Sequence, residues 1–221
     1  MGSLYYKNRA DAGKKLIPYL EKYRNENTVV VALSPGASIV GAQVAMALHA
    51  NLLIYLIKHI YLPGETESIA GMSSTDTFMY NSMFNAGQLE ELATEYRGHI
   101  DQERLNSRHE LNILLGHEGE IKPALLRHKI VILITDGLSN GFSIDMAAEY
   151  LKHVAIQKLV IATPIASVPA VDRMHLVADE IACLAVTDNY IDTNHYYDDN
   201  MIPEVPDVLK MMKNIAINWK H

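Results

Sequence analysis

The stretch "KIVILITDGLSNGFSIDMAAEYLKHV", residues 129–154, decides the fold. Its first part is a continuous apolar run rich in β-branched residues, the pattern of a parallel strand covered on both faces. A small polar turn breaks the run. Ile144, Ala147, Ala148, Leu151 and Val154 then recur at helical spacing and give the next helix an inward face. Asp136 stands where the strand ends. The turn has two readings. It is a plain strand-to-helix connection, with Asp136 satisfying local N–H groups, or it is an anion cradle. For the cradle, Gly137 and Gly141 permit a tight turn and the close approach of a ligand. Ser139, Asn140 and Ser143 bring hydrogen-bonding side chains, and the helix behind presents free N–H groups and positive partial charge. A carboxylate beside a bound phosphate can accept hydrogen bonds from sugar hydroxyls, so the ligand of such a cradle is a ribose phosphate. Neither a Walker P-loop nor a G-x-G-x-x-G fingerprint occurs.

The same alternation extends to both sides. "TVVVALS" (28–34) is a buried strand, "PGAS" breaks it, "IVGAQVAMALHA" is a helix of small residues, and "LLIYLIK" (52–58) is a second strand. After the quoted unit come a strand at 158–163, a helix in "SVPAVDRMHLVAD" with Ser167 as N-cap, and a strand at 180–186. Strands alternating with helices imply an α/β fold, an open and mainly parallel sheet with helices on both faces. Right-handed crossovers place the strand-to-helix turns on one edge, where such sheets bind ligands, so "PGAS" and "DGLSNG" belong together there. Helices are also expected in "NRADAGKKLIPYLEKYR", in the charged stretch from 88 to 116, and, as a short piece, in the tail. Residues 59–87 have glycines, Ser/Thr and little periodicity, which predicts a long functional or mobile loop.

Composition excludes several classes. The chain has 221 residues, 49% hydrophobic and 20% charged, with a formal net charge of −7. That is ordinary globular composition in one domain, and no Lys/Arg cluster suggests a nucleic-acid partner. No apolar run approaches the ~20 residues that span a bilayer, so no membrane partner is expected. The polar N-terminus does not read as a signal or transit peptide. The single cysteine, Cys183, sits in "EIACLAV", which suits a buried thiol and a reducing cytoplasm. No His/Cys set has metal-ligand spacing, and Asp198 and Asp199 in "HYYDDN" read as a solvated loop.

"VILITDGLSNGFS" resembles the phosphoribosyl-pyrophosphate (PRPP) motif of type I phosphoribosyltransferases. Other segments agree in order: "NRADAGKKL" with an entry helix of one bacterial branch, "VALSPGASIVGAQVAMAL" with the pyrophosphate loop and its helix, "IKHIYLPGETESIAGM" with the start of the flexible hood, and "ATPIASVPAVDRMHLVADEIACLAV" with the last core unit. The resemblance covers roughly residues 4–200. It implies one domain over 1–221 with a hood at about 59–100. It also implies transfer of ribose 5-phosphate from PRPP to an unknown acceptor, with Mg²⁺ brought by PRPP and no protein-held metal. The residues it implies are Asp136 as catalytic group; Asp136, Gly137, Leu138, Ser139, Asn140, Gly141 and Ser143 for ribose phosphate; Ser34, Pro35, Gly36, Ala37 and Lys58 for pyrophosphate; and Tyr190 near the base. A homodimer is allowed for.

The chain departs from the family at two charges. Thr135 replaces the first motif acid, and Pro35 stands where the pyrophosphate loop usually has Arg or Lys. Each lost hydrogen bond to a charged partner costs roughly 1.5–3 kcal/mol, so PRPP affinity falls steeply unless Lys58, Lys7 or Arg9 compensates. Two functions follow: a transferase of weakened or lost activity, or a non-catalytic phosphate- or nucleotide-binding protein that keeps the fold. Two structural expectations go with them. Residues 63–80 have few apolar anchors and should be the least ordered internal segment. The Ser34–Pro35 bond should be cis, because cis costs only ~0.5–1 kcal/mol before proline.

Overall fold

A computed structural model describes residues 4–116 and 119–218 of the chain. The readings of the extreme N-terminus and of the end of the tail reach residues 1–3 and 219–221, which lie outside the described residues.

In chain order the elements are α1 (Arg9–Leu20), β1 (Thr28–Ala32), α2 (Pro35–Leu48), β2 (Asn51–Ile54), β3 (Ile57–Tyr61), β4 (Ser68–Ser73), β5 (Phe78–Tyr80), α3 (Ala86–Glu95) and α4 (Arg97–Leu115). Then come β6 (Ile130–Ile134), α5 (Phe142–Leu151), β7 (Lys158–Ser167), α6 (Val168–Val177), β8 (Glu180–Thr187) and α7 (Val205–Asn218). The main sheet is five-stranded in the order β2-β1-β6-β7-β8. Every pairing in it is parallel.

The strand period of two sorts the apolar runs onto two faces. Val30, Ala32, Ile132, Ile134, Val160 and Ala162 meet α1, α2 and α7. Val29, Val31, Val131, Leu133, Leu159 and Ile161 meet Ile144, Ala147 and Leu151 of α5 and Ala170 and Met174 of α6. The central strands are buried throughout, which is why they read as unbroken apolar runs.

Three expectations fail. The predicted strand 52–58 is two strands: β2 ends at Ile54, Tyr55 donates its N–H to Ala32 O at 2.8 Å, and β3 starts at Ile57 in another sheet. An apolar run can supply both pieces, and periodicity does not show the corner between them. The expected loop at 59–87 is largely an antiparallel sheet in the order β3-β4-β5. Its middle strand is buried at every position and, with Ile60, Leu62 and Ile100, forms a small core of its own. The segment therefore does not lack apolar anchors. Lastly, no described peptide bond is cis. Pro35 instead occupies the first turn of α2 behind the N-cap Ser34, where a missing N–H costs nothing.

Candidate phosphate-binding site

The turns after β1 and β6 lie side by side at the carboxyl edge of the sheet, as expected. A Cβ built on Gly36 would fall 2.2 Å from Asp136 Oδ2 and 2.7 Å from Arg9 Nε, so the two turns touch. Asp136 is the joint. Its Oδ2 accepts from Arg9 Nε at 2.7 Å, its Oδ1 accepts from Ser34 Oγ at 3.0 Å, and its backbone carbonyl accepts from Tyr197 Oη. Arg9 is 1% exposed. Its Nη2 donates to Asn194 Oδ1 at 2.7 Å, and its guanidinium lies 4.6 Å from the centre of the Tyr197 ring. A buried pair of this kind needs further hydrogen bonds to hold it, and Ser34, Asn194 and Asn200 supply them here.

This arrangement closes the expected pyrophosphate loop. Ser34 Oγ also accepts from Ala37 N at 2.9 Å, which caps α2. Gly36 and Ala37 are buried and Ser34 and Pro35 half-buried. Lys58 is not brought to the loop. It lies on β3 and pairs with Glu110 of α4 at 2.6 Å. Thr135, at the place of the first acid, donates to Thr163 Oγ1 at 2.8 Å inside the sheet and presents no carboxylate to a ligand.

The turn 137–143 is built differently. Leu138 bonds to β7 in both directions: its N–H donates to Ile165 O at 3.1 Å and its carbonyl accepts from Ser167 N at 2.9 Å. Its side chain is buried. Leu138 is therefore an anchor of the turn, and its N–H is not free for a ligand as expected. Ser167 Oγ donates to Ser139 O at 2.6 Å, and Asn140 Oδ1 accepts from Phe142 N at 3.1 Å. Gly141 then opens α5 with no side-chain cap. Ser139 is exposed, and Gly137, Asn140 and Ser143 are half-buried. The result is a pinned glycine turn at the positive end of an uncapped helix, a geometry that accepts an anion.

Two walls flank this turn. On one side Tyr190 Oη comes within 2.4 Å of a Cβ built on Gly137, and it shares a hydrogen bond with Thr193 Oγ1 at 2.8 Å. Burial, with the charge of Asp136 adding to it, pushes the hydroxyls of Tyr190 and Tyr197 well above the ordinary range, so both stay protonated. On the other side the three-stranded sheet docks on α5. The His59 ring packs at a tilt against Phe142, 5.7 Å between centres, and Ser82 Oγ donates to Asp145 Oδ2 at 3.0 Å. Burial lowers the His59 imidazole pKa and keeps it neutral.

Comparison with known proteins bears on the fold. No family model matches the chain. Over 185 residues, 81% of the chain, it is 25% identical to two Mycobacterium tuberculosis proteins, from strains CDC 1551 and H37Rv, each named "Putative phosphoribosyl transferase". The chain spans 40% of the length of these curated relatives. The crystal structure of TT1426 from Thermus thermophilus matches over 95% of this chain and 98% of that one, at a TM-score of 0.73 and 23% identity. The chain is phosphoribosyltransferase-like. Its open parallel sheet with helices on both faces is an α/β fold, shared with TT1426 along nearly the whole chain.

Sequence reasoning placed Asp136 and the glycine turn correctly in space. It named Arg9 only as a spare cation and did not pair it with Asp136. It missed Asp145, Arg173 and Ser82. Asp145 left one signal, an acid among the apolar residues of "FSIDMAAEYL".

Proposed function

We propose that this phosphoribosyltransferase-like protein binds a phosphorylated ribose, with the phosphate on the 137–143 turn and the pyrophosphate end of any PRPP held weakly. One observation carries this. Behind its pinned glycine turn α5 has the Phe142 N–H met by Asn140 and no capping side chain from Gly141, while the start of α2 is capped by Ser34 and closed by Asp136 and Arg9. Ser143 Oγ and the N–H groups of Ser143 and Ile144 would hold the phosphate. Asp136 would meet a ribose hydroxyl through its remaining lone pairs, and Tyr190 would border the base side. Cytoplasmic location belongs to the same proposal. It is supported by the lone Cys183, whose thiol is pushed up to about 11 by burial, and among the described residues no helix is long and apolar enough to cross a membrane.

A second reading is transfer of ribose 5-phosphate from PRPP to an unidentified acceptor, favoured by the names of the mycobacterial relatives. Mg²⁺ is part of that chemistry in the family. The described residues do not offer it a protein cage: no group of three His, Cys, Asp or Glu side chains is placed to hold a metal, and Arg9 occupies Asp136. The ion would have to arrive on the oxygens of PRPP.

Calorimetric titration with ribose 5-phosphate, PRPP plus Mg²⁺, and pyrophosphate separates the two. Binding of ribose 5-phosphate and PRPP within about tenfold of each other, with pyrophosphate negligible, fits a ribose-phosphate binder, since tenfold is only about 1.4 kcal/mol. PRPP more than a hundredfold tighter, with pyrophosphate released on adding nucleobases, would establish the transferase. No binding of ribose 5-phosphate would end the first reading.

A further inference from the structure

The family's pyrophosphate-loop cation is missing from this chain, but a different arginine lies against the cradle. Arg173 comes from α6, two elements away in sequence. A Cβ built on Gly141 would fall 2.3 Å from Arg173 Cβ and 2.5 Å from Cγ, so the stem of this arginine crosses the turn where residue 141 would carry a side chain. That contact explains why residue 141 is glycine. Beyond the stem, the guanidinium is gripped on one edge. Its Nη2 donates to Asp145 Oδ2 at 2.5 Å and its Nε donates to Asp145 Oδ1 at 3.3 Å. Asp145 lies in the first turn of α5 with its side chain 7% exposed, and Ser82 of the hood donates to the same carboxylate.

A carboxylate fork of this kind fixes the plane and direction of a guanidinium. Only one edge is used. Nη1 carries two N–H donors, and it has no acceptor among the described residues. The Arg173 side chain is 33% exposed, so the arginine is not sealed into the α5–α6 contact. A pair that served only to join α5 to α6 would need neither the stem laid across the turn nor a half-open arginine next to an uncapped helix end.

We propose that Arg173 is the ligand-binding cation of this cradle, donating from Nη1 to the phosphate of a sugar phosphate seated on 137–143, with Asp145 as the positioning residue that aims it. This deepens the ribose-phosphate reading above and rests on it. It also relocates the positive charge from the start of α2 to the flank of α5. The site would then favour a single phosphate over a pyrophosphate, because the cation placed there stands at the phosphate end. Ser82 adds a link, since the hood touches the same carboxylate and its docking would steady the arginine.

The test uses the full chain and ribose 5-phosphate as the probe, with free ribose as a control and thermal melting read in parallel. Arg173→Gln should weaken ribose 5-phosphate by tenfold to a hundredfold, the range expected for one charge-assisted hydrogen bond. Arg173→Lys should recover part of that loss. Arg173→Gln leaves Asp145 unpaired and can loosen the helix pair, so the double variant Arg173→Met with Asp145→Asn is the second arm. It keeps the stem over Gly141 and leaves no unpaired buried charge. It should stay folded and show the same tenfold to hundredfold loss, with a weaker salt dependence of binding than the parent. Lower melting temperature with unchanged ribose 5-phosphate affinity in the double variant would overturn the proposal and leave the ribose-phosphate reading standing. A parent chain that does not bind ribose 5-phosphate at all would overturn both.

Discussion

α2 and α5 both start at the carboxyl edge of the sheet, one after β1 and the other after β6, and their first turns are finished in opposite ways. At α2 the first turn is closed from within. Ser34 caps Ala37, Ser38 Oγ bonds back to Pro35 O, and the Asp136–Arg9 pair lies against Gly36. At α5 the turn is fastened from behind by β7 and Ser167, Asn140 meets the Phe142 N–H, and the N-cap Gly141 brings no capping side chain to the N–H groups after it. The first turn resembles a binding loop in sequence and is occupied by the protein's own side chains. The second has poorer motif chemistry and an open end. Similarity of a glycine turn to a motif therefore does not say whether its donors are available, because that depends on what the rest of the chain puts there.

The largest expected effect breaks the closed end. Arg9→Ala leaves Asp136 buried without its cation and removes the links to Asn194 and Asn200. Stability should fall by about 3–5 kcal/mol, the cost of breaking a buried pair on one side. Chemical denaturation measures it. A variant that unfolds at the parent's midpoint would mean that Arg9 does not hold the α2 turn shut.

Next is the open end. Gly141→Val puts a branched side chain into the Arg173 stem, whose near carbons cannot swing away. Ribose 5-phosphate binding should be abolished, and stability should drop by about 1–3 kcal/mol from overpacking. Retained affinity would place the ligand somewhere other than this turn. A smaller effect belongs to Ser34→Ala. It removes the α2 cap and one bond to Asp136, which should cost about 0.5–2 kcal/mol, while ribose 5-phosphate affinity stays within threefold. If that affinity collapses instead, the two ends are not independent and the contrast between them is wrong.

How much of this was legible in the sequence follows from the length scale of each feature. The main sheet was legible because its strands are buried on both faces and announce themselves as unbroken apolar runs between turn residues. The pairing of the two turns followed from right-handed crossovers. The corner at Tyr55 was hidden, because the apolar run continues through it with no change of composition. The three-stranded sheet was hidden because β4, "SIAGMS", is buried through small residues and serines rather than large apolar ones. Within the site, residues local to the motif were readable and their partners were not. Arg9 and Asp136 are 127 positions apart, and Arg173 and Asp145 are 28 apart. No spacing rule connects such pairs; only the packed fold does. Pro35 was misjudged for the same reason. Its effect on the loop was weighed as a choice of peptide isomer, when the decisive fact is that Ser34 and Pro35 together make an ordinary helix start.

Pro35→Arg gives the smallest expected effect and the sharpest comparison. By the sequence resemblance alone, placing a basic residue at position 35 should bring pyrophosphate binding. The structure predicts otherwise. Position 35 is the first residue of α2, beside N–H groups that Ser34 already caps and next to the cation Arg9. A second positive charge there meets the positive end of the helix, which should cost roughly 0.3–1 kcal/mol, and proline's preset φ is lost as well. Asp136 is nearby but its charge is already matched by Arg9, so it offers the new guanidinium little. Pyrophosphate affinity should therefore change by less than threefold, read by calorimetry, with a slightly lowered melting temperature. A tenfold gain in pyrophosphate affinity would mean that the α2 turn opens to ligands in solution and that charge alone was missing from it. No gain in Pro35→Arg, together with a loss in the Arg173 variants, would fix the functional cation on the α5 side of the sheet edge.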